Sequence, residues 1–123
     1  MRSGILTTDP VEFLWHYHQK YDKEELRTRV QKHIEYKTCR IILDKDGFVC
    51  AVCLWNIEDH GHSAHIIDLA IREDKRKTDM MRKILRNGMQ IWPVEFLVFE
   101  RNYDGRRPGK KVWSTERFLR RKG

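Results

Sequence analysis

The chain has 123 residues, 25 of them Lys or Arg and 18 Asp or Glu, for a formal net charge of +7 with neutral histidines. That length suits one domain around one core, and 40% hydrophobic with 35% charged residues fits a folded, well-solvated chain rather than a disordered one. No apolar run reaches the roughly 20 residues of a transmembrane helix, which excludes a helical membrane protein. MRSGILTTDP at the start lacks the apolar core and cleavage site of a signal peptide. Cys39, Cys50 and Cys53 are odd in number and lie in strand-like surroundings. A reduced, cytoplasmic protein is the expectation.

Ser3–Thr7 reads as a short first strand. Asp9-Pro10-Val11-Glu12 is a helix start, with Asp9 as cap, Pro10 in the first turn and Glu12 completing a capping box. Val11, Leu14, Trp15 and His18 then share a face. A second start at Asp22 is followed by Leu26, Val30 and Ile34 every four residues. From Thr38 the period changes. Cys39–Leu43 is a strand, Asp44-Lys45-Asp46-Gly47 a hairpin turn, and Phe48–Trp55 a second strand. Asn56–Ser63 makes the next turn and His65–Ile71 a third strand. A charged loop, Arg72–Lys77, leads into a helix with apolar residues at Met81, Ile84, Leu85, Ile91 and Trp92. Pro93 ends it, and Val94–Phe99 is a fourth strand. The predicted order is (β)ααβββαβ(β), one α+β domain over 1–123 with no linker or repeat.

The charge is local. Residues 101–123 hold nine basic residues against two acidic ones, while 1–100 balance. In this basic C-terminal segment 101–109 is too rich in turn formers for a long helix. Lys111–Ser114 suits a strand, and Thr115–Lys122 is open between a strand and a short helix.

The stretch from Leu69 to Leu85 resembles the acetyl-CoA-binding segment of the GCN5-related N-acetyltransferases (the GNAT superfamily). Leu69-Ala70-Ile71 stands where that family ends a strand, Arg76 where its R/Q-x-x-G-x-G/A loop begins, and Ile84-Leu85 where its helix has a buried pair. The resemblance covers most of residues 3–100 and implies a mixed sheet, an antiparallel meander followed by one parallel β–α–β crossing. It implies acetyl-CoA as cofactor, held by Leu69, Ala70, Ile71, Arg76, Lys77, Thr78, Asp79, Met80 and Met81. It also implies Asp68 and His65 as candidate bases and Tyr103 as candidate acid.

Two departures bear on activity. The glycine positions of the loop carry Asp79 and Met81, so that a carboxylate and added bulk meet the pyrophosphate, and the loop reads as degenerate. The C-terminal end is short, similar to some small phage-encoded acetyltransferase-like proteins; a phage origin would imply a virion-associated protein. If the loop is dead, there is no cofactor. Two readings follow. One is a weakly or non-catalytic binding module that acts through 101–123; the alternative is an acetyl-CoA-dependent N-acetyltransferase acting on an amine of a protein or small molecule.

Other constellations carry less. Lys75, Arg76, Lys77, Arg82, Lys83 and Arg86 cluster at the helix start, where cations oppose the dipole and an anion would relieve them. Cys50 and Cys53 are three apart on a strand and should face opposite ways, and Asp59, His60, His62 and His65 crowd a polar turn, so no metal is expected. Basic residues among Tyr103, Trp113 and Phe118 suit a nucleic acid or an acidic protein surface. No membrane partner is expected.

Overall fold

The computed structural model describes residues 4–19, 21–101 and 109–120. Helix α1 (Pro10–Tyr17) starts where Asp9 Oδ1 accepts from Val11 N at 2.9 Å, and α2 (Lys23–Glu35) where Asp22 accepts from Glu25 N at 3.1 Å. Side-chain oxygens at these caps satisfy N–H groups that have no partner inside the helix. Glu12 pairs with Lys23 on α2, tying the two helices instead of closing a capping box.

Five strands follow in chain order across one sheet: β1 (Cys39–Leu43), β2 (Val49–Glu58), β3 (Ser63–Ile71), β4 (Phe96–Arg101) and β5 (Gly109–Ser114). Neighbours are antiparallel except β3 and β4, which are parallel and joined through helix α3 (Met80–Ile91). This is the expected meander and single crossing. A last helix, α4 (Thr115–Arg120), follows β5, which decides the open C-terminal segment in favour of a helix.

The sheet is covered on both faces. Phe13, Leu14, Leu26 and Val30 of α1 and α2 pack on Val52, Leu54 and Ala70, while Ile84, Leu85 and Met89 of α3 pack on Ala51, Cys53, Trp55 and Leu97.

Several boundaries differ from the sequence reading. Among the described residues 4–7 form no strand; the segment makes one sheet-like bond, Val49 N to Thr7 O at 2.8 Å, and Gly4 with φ 100° packs closely against Arg72 and Glu73. The turn expected over Asn56–Ser63 shrinks to Asp59–Gly61, because positive φ at Asp59, His60 and Gly61 reverses the chain in three residues. The fourth strand is shifted to Phe96–Arg101. On α2 the buried face is Leu26, Val30 and His33, with Ile34 45% exposed; the i, i+4, i+7 pattern meets the sheet better than a strict four-residue repeat. On α3 the buried face is Met80, Ile84, Leu85, Gly88 and Met89, which leaves Met81, Ile91 and Trp92 partly in solvent.

Candidate functional site

The site is built by β3. Its pairing with β4 runs only from Ser63↔Phe96 to Ile66↔Phe99, and beyond Ile66 it pairs with β2 alone. A bulge starts the departure: Leu54 pairs with Asp68 and Trp55 with Ile66, so that Ile67 is the extra residue. Arg72 N donates to Cys50 O at 2.9 Å. By antiparallel alternation the 52↔70 and 54↔68 pairs also exchange bonds, so the N–H and C=O groups of Leu69 and Ile71 point away from β2. Ile71 O meets that expectation by accepting from Arg76 Nε at 2.8 Å.

Two cavities lie along this edge and share His18. The smaller, about 410 Å³, is lined by Tyr17, His18, Leu69, Ala70, Ile71 and Arg76. The larger, about 710 Å³, lies between α2 and the sheet and is lined by Tyr21, Arg29, Lys32, His33, His65–Asp68 and Glu100 among others.

The expected site residues fall into three groups. Leu69, Ala70, Ile71 and Arg76 come together around the smaller cavity, although Ala70 turns its backbone to β2. Arg76 lies over the Tyr17 ring at 5.3 Å, and Tyr17 in turn donates to Glu73 at 2.9 Å. Burial and that bond push the Tyr17 hydroxyl up to about 12. The loop residues are more dispersed. Thr78 Oγ1 donates to Lys75 O, Lys77 is exposed, and Met80 is buried in the core. Asp79 pairs with Arg82 at 3.0 Å, and Met81 is 37% exposed.

The third group lines the larger cavity. Asp68 is buried and accepts from Arg29 Nη1 at 3.1 Å. His65 stands with Nδ1 3.1 Å from Glu58 and Nε2 3.5 Å from Glu100. Tyr103 lies outside the described residues.

Sequence reasoning missed Arg29, His33 and Glu100. His33 was legible, since it is seven residues after Leu26 on the α2 face; its Nδ1 lies 2.7 Å from Thr38 Oγ1, and burial pushes its pKa down. Arg29 and Glu100 carried no such signal, because only the packing of α2 and the sheet register bring them here.

The cysteine pair corrects an expectation. Ile42 pairs with Ala51 and Leu43 with Val49, a bulge that leaves Cys50 extra on β2. Cys50 and Cys53 therefore share one core cluster instead of facing opposite ways. Burial pushes both thiols up, and Cys39 to about 11. Among the described residues no group of three His, Cys, Asp or Glu side chains is arranged to hold a metal ion, and no helix is long and apolar enough to cross a membrane.

Comparison with protein-family models and with curated proteins returns no match. Solved structures do match. A chimera of spermidine N-acetyltransferase SpeG from Vibrio cholerae and hSSAT superposes with TM-score 0.61 at 13% identity, covering 98% of this chain and 99% of that one. Tetrahymena GCN5 superposes with TM-score 0.54 at 14% identity over 75% of this chain. The chain spans 58% of that structure's length. This is the GNAT fold. In its terms β3 and β4 form the parallel pair around the α3 crossing, and the cleft follows the edge where they part.

Proposed function

We propose that the chain is an N-acetyltransferase that takes its acyl group from a coenzyme A thioester held along the free edge of β3 and gives it to an amine entering through the larger cavity. The observation that carries this reading is the departure of β3 from β4 after Ile66, with Leu69 and Ile71 turning backbone groups outward beside the 410 Å³ cavity.

Coenzyme A, when bound, supplies the activated acyl group. It is an elongated polyanion with amides along its arm, and the residues suit both features. The Leu69 backbone can pair with an amide as a strand would. Arg76, Lys75 and Lys77 stand before α3, where the N–H groups of Met80, Met81 and Arg82 precede the first helical bond, Lys83 N to Asp79 O at 3.0 Å. The two glycine positions do not oppose this. Asp79 has φ −83°, open to any residue, and Arg82 balances its carboxylate; Met81 turns towards solvent. His65 takes the proton from the incoming amine and hands it to one of its two exposed carboxylate neighbours, Glu58 or Glu100, from which it passes to water. Asp68, held by Arg29, orients the cavity wall.

A second reading, a weakly or non-catalytic module that acts through 101–123 on a nucleic acid or acidic protein, is favoured by the nine basic residues of that segment. Calorimetric titration with acetyl-CoA at low and moderate salt separates the two. We expect saturable one-to-one binding that survives salt and weakens with Arg76→Ala. His65→Gln should bind normally but lose amine-dependent thiol release by about 10²-fold or more. Heat that vanishes with salt, or no binding, would sink the enzyme reading in favour of the second.

A further inference from the structure

A third cavity, of about 300 Å³, lies between the β1–β2 turn and the start of α3. Arg72 holds its walls together. The guanidinium bonds Asp44 of the turn at 2.9 Å and Asp74 of the loop before α3 at 2.6 Å, and Arg72 is almost fully buried. The cavity is therefore formed before any ligand arrives, and a ligand need not order it. It shares no residue with the thioester cavity, but the two adjoin: Arg72 follows Ile71 in the chain, and Lys75 precedes Arg76.

The cavity has two unlike halves. Lys45 of the turn, Lys75 of the loop and Lys83 of α3 line it from three separate segments. Among the described residues none of these three ammonium groups makes a hydrogen bond or ion pair. Of the acids there, Asp44 and Asp74 are already bonded to Arg72, so that with Asp46 the cations remain in excess. Like charges around a concave space raise its potential, and lysine binds phosphate as a point charge. The other half is apolar, with Ile42, Leu43, Cys50 and Met80. Leu43 is 53% exposed, while Met80 is buried beside it in the cavity wall. A flat aromatic ring would cover the leucine and meet the methionine thioether. Inorganic phosphate would use the lysines alone, whereas a nucleoside phosphate uses both halves, and the volume, at the low end for small-molecule sites, suits a single nucleotide.

We propose that this cavity binds a nucleoside phosphate, with its base on Leu43 and Met80 and its phosphate among Lys45, Lys75 and Lys83. Two sources share that chemistry: a free nucleotide, and the nucleotide end of coenzyme A reaching across the loop from the thioester cavity. The site itself stands without the acetyltransferase reading; only the second source rests on it.

The test is calorimetric titration of the full chain at moderate salt with adenosine 3′,5′-bisphosphate, with ADP and with inorganic phosphate. We expect saturable one-to-one binding of a nucleotide, about tenfold or more tighter than inorganic phosphate. Lys45→Glu and Lys83→Glu, both at exposed positions, should each weaken it by about tenfold or more with unchanged circular dichroism. Leu43→Ser should weaken the nucleotide and leave inorganic phosphate as it was. Displacement of the nucleotide by acetyl-CoA, with Lys83→Glu weakening both, assigns the site to the coenzyme. Simultaneous binding of the two assigns it to a free nucleotide, as does nucleotide binding by a chain that takes up no acetyl-CoA, a result that removes the acetyltransferase reading alone. No nucleotide binding, equal affinity for inorganic phosphate, or affinity untouched by Lys45→Glu and Lys83→Glu would each overturn the proposal.

Discussion

Gly88 faces the indole of Trp55 where α3 meets β2. A Cβ built there would lie 2.8 Å from Trp55 Cη2, and Trp55 is fully buried, so the ring has nowhere to go. Replacing Gly by Ala in an exposed helix gains about 1 kcal/mol, but overpacking a closed core costs about 1–3 kcal/mol. We therefore expect Gly88→Ala to destabilise the protein by roughly 1 kcal/mol in urea denaturation. Trp55→Phe in the same chain should recover part of the loss, giving a positive coupling in the double-mutant cycle. Arg72 is another residue whose surroundings define it. It is almost fully buried at the end of β3, bonding Asp74 at 2.6 Å and Asp44 at 2.9 Å. An arginine in a charged loop reads as solvated in the sequence, and only the meeting of two turns reveals the buried ion pair.

At the scale of elements, α4 has only six residues, too few to hold its own hydrogen bonds in water. It is kept by Phe118 and Leu119 on the core and by two arginines of α3. Arg82 Nε donates to Phe118 O at 3.3 Å and Arg86 Nη2 to Leu119 O at 2.8 Å. Cations at the carbonyl end suit the helix dipole, so two members of the basic cluster at α3 already have partners. A charge-assisted bond contributes about 1.5 kcal/mol or more. Arg86→Ala should thus speed amide exchange in α4 by roughly tenfold while leaving β2 and β3 unchanged. Equal acceleration everywhere would mean that α4 is part of the global unfolding unit.

For the whole molecule, Arg72 joins the β1–β2 turn, through Asp44, to the loop before α3, through Asp74. The Arg72 bond holds the Asp74 carboxyl below its ordinary value of 3.8. Desolvation pushes Asp44 up, but the Phe48 N–H and Arg72 outweigh it and leave it low as well. A carboxyl whose folded value is depressed binds protons more readily when unfolded. Its contribution is complete above 3.8 and is lost as pH falls through the folded values. The melting temperature should therefore drop steeply below that pH. Arg72→Gln should flatten this acid limb while lowering stability at neutral pH; an unchanged limb would remove the Arg72 pairs from its cause.

The element order, the helix caps at Asp9 and Asp22, the turn at Gly47 and the meander with one crossing were all legible in the sequence. The elements, caps and turn depend on period, capping and turn chemistry, which act over a few neighbouring residues, whereas the meander with one crossing was implied by the family resemblance. The strand end at Ile71 was read from the same local pattern, and Arg76 beside it was singled out by the resemblance. What the chain order could not show was which residues lie together across elements. The bulge at Ile67 separates β3 from β4 and turns Leu69 outward, and the bulge at Cys50 carries it to the same side as Cys53. Arg29 reaches Asp68 over 39 residues of chain, and Glu100 reaches His65 only through the parallel register. Each is a one-residue matter of registry between segments distant in sequence, and a slip of one residue reverses the face a strand presents. Local pattern fixes neither registry nor contact, so the cleft and its charges were decided by tertiary packing.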